Sequence, residues 1–129
     1  MLTENLQIYK DTKELARLLL TYQAQVPKVV RYGEFARAVG LACEAMDMLY
    51  VANSDVHERL WALTRFLQIV GGIRSRVSLF VETRTLSARQ GVNLMRGIDK
   101  IQRQGTGWRK SSQSQSIEAV RATMESCPA

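Results

Sequence analysis

SARQGVNLMRGIDKIQRQGTGWRK, residues Ser87–Lys110, decides how this chain is read. On a helix of 3.6 residues per turn, Arg89, Arg96, Lys100 and Arg103 fall within a sector of about 60°. Ala88, Val92, Met95, Ile98 and Ile101 occupy other sectors and can face a core. The same helix therefore carries a basic row and an apolar side. Gly105-Thr106-Gly107 predicts a break that delivers Trp108, Arg109 and Lys110 just past the helix end.

Working outward, Ser87 and Gln90 have the spacing of a capping box and start this helix, which runs to about Gln104. The preceding helix is expected from about Asp55 to Arg84, with Leu63, Phe66, Leu67, Val70, Ile73, Val77, Phe80 and Val81 on one face. Gly71-Gly72 falls on its outward side, where it permits a kink or a close neighbour. Arg74 projects near the edge of the core stripe, either ion-paired or snorkelling outward. Before it, a helix from about Tyr32 to Ala52 places Phe35, Val39, Ala42, Cys43, Met46, Leu49 and Tyr50 inward, which makes Cys43 a buried free thiol. The first helix runs from about Glu4 to Gln25, with Ile8, Leu15, Leu18, Leu19, Tyr22 and Val26 on one face and Lys10, Lys13 and Arg17 opposite. Pro27 ends it. Four amphipathic helices with short connections predict an all-α, up-down-up-down four-helix bundle over residues 1–110. Residues 111–129, opening on SSQSQS, are expected to be a polar, flexible tail in which Ile117–Ser126 forms at most one weak helix and Cys127 lies loose.

Charge is unevenly spread. Residues 59–110 hold eleven Lys and Arg against Glu82 and Asp99, a balance of +9, whereas the whole chain is +6. Such asymmetry points to an anionic partner for the second half, and the competing reading is a solvated basic surface on an ordinary bundle. Arg89, Arg96, Lys100 and Arg103, continued by Arg109 and Lys110, are the candidate phosphate contacts, with Lys10, Lys13 and Arg17 as a second row. Leu41, Met48, Trp61 and Leu79 face away from the expected core, and Trp108 stands beyond a helix end. Together these five predict a further buried surface, most simply between copies of the chain.

Catalytic chemistry finds no support. His57 is the one histidine. No zinc spacing, di-iron Glu-x-x-His pair, phosphate-binding loop or dinucleotide fingerprint occurs, and so no cofactor, metal or catalytic residue is expected. No Arg precedes His57 at the distance used by helical RNA nucleases. No apolar run approaches the roughly 20 residues that span a bilayer, and two cysteines form no disulfide framework. A cytoplasmic setting without membrane contact is the expectation.

The segments RLWALTRFLQIVGGIRSRVSLF (59–80), LSARQ (86–90) and GIDKIQRQGTGWRKS (97–111), with IYKDT (8–12) and Pro27, resemble the accessory variability determinant (Avd) proteins of diversity-generating retroelements. These belong to a four-helix-bundle family related to proteins encoded in ribosomal RNA intervening sequences. The most specific piece is the ending Gly105-Thr106-Gly107-Trp108-Arg109-Lys110-Ser111. The threonine between the glycines and the extended tail depart from the pattern. The resemblance implies a non-enzymatic partner of a reverse transcriptase that binds RNA and DNA, assembles as a homopentameric barrel, and supports mutagenic retrohoming, the error-prone copying of a template RNA into cDNA. It equally admits a structural or protein-interaction bundle of the intervening-sequence kind, without nucleic-acid function.

Overall fold

Apolar residues at helical spacing, interrupted only at Pro27, Gly33, Asp55 and Thr83–Leu86, divide the chain into four long helices. The structure, a computed structural model, describes residues 1–126. Cys127 lies outside the described residues. After a 3₁₀ turn at Thr3–Asn5 come α1 (Gln7–Gln23), the single turn α2 (Lys28–Arg31), α3 (Glu34–Ser54), α4 (Arg59–Glu82) and α5 (Ala88–Ser126). No strand occurs among the described residues. In the resulting helical bundle α4 packs against α3 and α5, and α1 packs against the same two helices.

The helix ends follow local chemistry. Asp55 Oδ1 accepts the His57 amide at 2.9 Å and holds the turn before α4, which delays that helix to Arg59. Arg31 donates to the Ala24 and Val26 carbonyls at 3.2 and 3.0 Å, capping the exit of α1. The α4–α5 turn places Arg84 at φ 59°, the left-handed region, and the Leu86 amide reaches back to the Phe80 carbonyl at 3.0 Å. The capping box forms in full, Ser87 N–H to Gln90 Oε1 at 2.9 Å and Gln90 N–H to Ser87 Oγ at 3.1 Å.

The core is built from Leu19, Phe35, Leu49, Leu63, Phe66, Val70, Ile73, Leu94, Ile98 and Ile101, all fully enclosed. Each large side chain of this kind contributes about 1.5–3 kcal/mol on burial. Phe35 and Phe80 stack at 5.0 Å between ring centres. On α3 the buried line is Phe35, Ala38, Ala42, Ala45, Leu49 and Ala52, so the helix is rotated toward its alanines. Cys43 and Tyr50 are exposed as a result, which corrects the expectation of a buried thiol. Tyr50 instead bonds the Glu4 carboxylate and meets Tyr9 edge-on at 5.4 Å. That bond holds Glu4 below the ordinary carboxylate range.

The expected break at Gly105–Gly107 is absent. Helix α5 runs unbroken through both glycines and through the SSQSQS segment for 39 residues. The cause is packing. Gly105 is buried, and a Cβ there would stand 2.8 Å from Phe66 Cε1 and 3.1 Å from Leu67 Cδ2. The glycine brings α5 against α4, and the spacing Ile98, Ile101, Gly105, Ser112 continues the buried line past the expected end. Gly91 makes a similar approach to Val81, whereas Val92 is half exposed instead of inward-facing.

Gly105→Ala is therefore expected to destabilise by about 1–3 kcal/mol through overpacking. Gly107→Ala, whose Cβ meets nothing within 4 Å, should stabilise by about 1 kcal/mol through helix propensity. Chemical denaturation of the two variants measures the contrast, and effects of the same sign contradict the packing account.

Candidate nucleic-acid interface

The inner face of α5 is held on both sides. Toward α4, Arg74 bonds Asp99, reaches Gln102 Oε1 at 2.8 Å and touches Met95 Sδ at 3.8 Å. This settles the Arg74 alternatives: it is ion-paired at the bundle surface. Toward α1, Gln104 donates to Asp11 at 2.8 Å, Asn93 to the Tyr22 hydroxyl at 3.2 Å, and Gln90 to Gln25 at 3.0 Å. What remains is the outer face.

On that face stand Arg89, Arg96, Lys100 and Arg103, all exposed. Among the described residues none of their side chains has a hydrogen bond or ion pair. Asp99, the one acid beside them between residues 89 and 110, is engaged by Arg74, so its charge does little to neutralise the row. Because α5 does not break, Lys110 is also exposed and falls at the edge of the same sector. A hollow beside Gly107 is bordered by Arg96, Asp99, Lys100 and Arg103.

The other candidates separate from this row. Arg109 turns inward, is half-buried, and donates through Nε to Thr64 Oγ1 at 2.8 Å. It belongs to the α4–α5 contact. Lys10, Lys13 and Arg17 are exposed on α1, but Arg17 is engaged by Glu14 at 2.8 Å, a bond that also keeps the Glu14 carboxyl below its usual range. Asp11 and Glu14 line the α1–α5 groove with Arg96 and Lys100. An acidic edge therefore separates the two basic rows. Sequence periodicity did not raise this edge, although the Glu14–Arg17 spacing at i,i+3 was there to be read.

Of the apolar candidates, Trp61 and Leu79 are exposed, at 57% and 50% of full accessibility. Leu41, Met48 and Trp108 are half-buried against the chain's own core. Arg59 lies 5.7 Å from the centre of the Trp108 ring and bonds the Ala52 carbonyl at 2.7 Å, tying together α3, α4 and α5. His57 is exposed. Among the described residues no group of His, Cys, Asp and Glu is arranged to hold a metal, and no helix is long and apolar enough to cross a membrane.

No protein-family model matches the chain, and no curated protein or solved structure does either.

The two neighbours at the end of the row make opposite predictions for stability. Arg109→Ala loses a part-buried bond and is expected to cost about 1 kcal/mol, while Lys110→Ala should fall within about 0.5 kcal/mol of the parent. Thermal unfolding of both variants checks this.

Proposed function

We propose that this protein is a non-enzymatic, nucleic-acid-binding accessory of a retroelement reverse transcriptase, acting in mutagenic retrohoming. The observation that carries the binding part is the row Arg89, Arg96, Lys100 and Arg103: four exposed cations on one helix face, unpaired among the described residues. Five cations elsewhere on the surface, Arg17, Arg37, Arg65, Arg74 and Arg76, have an acid within reach. A row left without acids is suited to phosphates, whose neutralisation releases condensed counterions. It carries no base-reading pattern, so binding is backbone-driven and weakly sequence-selective.

The polymerase partner and the homopentameric barrel rest on the sequence resemblance over roughly residues 6 to 112, and the up-down-up-down topology on the short connections between four amphipathic helices. Exposed Trp61 and Leu79 lie on one face of α4 and supply apolar surface for self-association. The same pair supports the second reading, a structural or protein-interaction bundle without nucleic-acid function. The two readings part on salt: phosphate contacts weaken steeply as ionic strength rises, and apolar capture does not.

Replacing Arg96, Lys100 and Arg103 together by Gln should leave helicity and oligomer size unchanged. RNA affinity should fall, and the slope of log affinity against log salt should shrink by about three. Unchanged affinity at low salt excludes the nucleic-acid reading. A reverse-transcriptase gene flanked by variable and template repeats beside this one is the observation expected for the retroelement role.

A further inference from the structure

We infer that the α5 row takes double-stranded nucleic acid in preference to single strands, along a footprint of about one helical turn. The inference rests on the nucleic-acid reading above and concerns the form of the ligand.

Continuity of α5 supplies the first argument. With Lys110 in line, the row has five cations: a central group, Arg96, Lys100 and Arg103, and single outliers Arg89 and Lys110. At 1.5 Å rise per residue the outliers stand about 16 Å on either side of the group's centre. A duplex repeats every ~34 Å and presents two backbones per turn, so a straight line along one face meets a strand about every 17 Å on average. The three cationic stations match that alternation. A single strand, with a phosphate at every nucleotide, gives no reason for the two gaps, one holding Val92 and the other Thr106 and Gly107.

The second argument is what the face lacks. Binding of single strands without sequence preference typically combines a basic track with aromatic rings on which bases stack. Helix α5 has one aromatic residue, Trp108, and it is half-buried, packed on the core and covered by Arg59. The exposed aromatics Tyr32, Tyr50 and Trp61 lie on other elements. The row offers no aromatic ring on which an unpaired base can stack, whereas every cation on it can meet a phosphate.

The third is where the row ends. Beyond Lys110 the same sector of the continuing helix carries Glu118, Arg121 and Glu125, all exposed, a net charge of −1. The net-basic part of the track therefore ends at Lys110 and is about 32 Å long.

Fluorescence polarisation at low salt tests this with duplexes of about 12 base pairs, one of DNA and one of RNA, each against its own separated strands. Each duplex is expected to bind on the order of tenfold tighter than its strands, reflecting the denser phosphate charge. A tighter DNA than RNA duplex, or the reverse, identifies the helical form that the stations fit. Arg89→Gln with Lys110→Gln, which leaves the central group intact, should weaken duplex binding several-fold more than strand binding. Circular dichroism of this double variant should match the parent. Strands that bind as tightly as duplexes, or a double variant that weakens both equally, overturn the duplex inference and leave the nucleic-acid reading standing. Absence of binding to every probe overturns both.

Discussion

The seat of Gly105 against Phe66 and Leu67 is the constraint on which the rest depends. An α-helix buries a stripe only if its axis can approach its neighbour, and at this point no side chain fits between α5 and α4. Glycine costs about 1 kcal/mol of helix propensity there, and the contacts on Phe66 offset it. The approach fixes the rotation of α5, with Leu94, Ile98, Ile101 and Gly105 inward, and thereby fixes which residues face outward. The basic row is the geometric complement of that buried line. A rotation of one residue, 100°, would carry Arg96 and Lys100 toward the α1 or α4 grooves.

Rotation alone does not leave a charge unpaired. Acids are near enough on both sides: Asp99 on α5 itself, and Asp11 and Glu14 across the groove on α1. Each has another partner. Arg74 holds Asp99, the side-chain amides of Gln7 and Gln104 hold Asp11, and Arg17 holds Glu14. These exposed bonds contribute little to stability individually. Their consequence is electrostatic, because acids already satisfied by other groups compete weakly for Arg96, Lys100 and Arg103. Two of them, Arg74–Asp99 and Gln104–Asp11, also join α5 to α4 and α1, so contacts that position the helix help to leave its outer face basic.

How much of this was legible follows from which physical signals agree. The faces of α1 and α4 were readable because large aliphatic and aromatic residues recur there at helical spacing, and the capping box at Ser87 was readable because its two bonds are local. On α3 the largest apolar residues misled. Val39, Cys43, Met46 and Tyr50 outweigh alanine in any hydrophobic count, yet close helix approach selects Ala38, Ala42, Ala45 and Ala52. The glycines of GTGW misled in the same way. Glycine is punctuation when the chain must turn and a packing residue when a neighbour must come close, and its own sequence window does not tell the two apart. The correct sign was the unbroken 3–4 spacing from Ile98 through Ser112. The positions of the basic row were legible, because its angular sector depends only on helix geometry. The inward turn of Arg109 and the pairing of Arg17 were not, since both depend on partners.

The unbroken helix changes what the ending of the row means. With a break at Gly105, Trp108, Arg109 and Lys110 would form one loose cluster of an aromatic ring and two cations, the composition of a stacking site. With the helix continuous, the three point in different directions: Trp108 to the core beneath Arg59, Arg109 to Thr64, and Lys110 outward in line with Arg103. The ring and one cation are thereby committed to holding α5 on α4, and one cation is added to the face. A surface of this kind offers charge at fixed intervals and no aromatic platform for a base. On the nucleic-acid reading proposed above, selectivity would come from the spacing of phosphates, a property set by the form of the nucleic acid and not by its sequence.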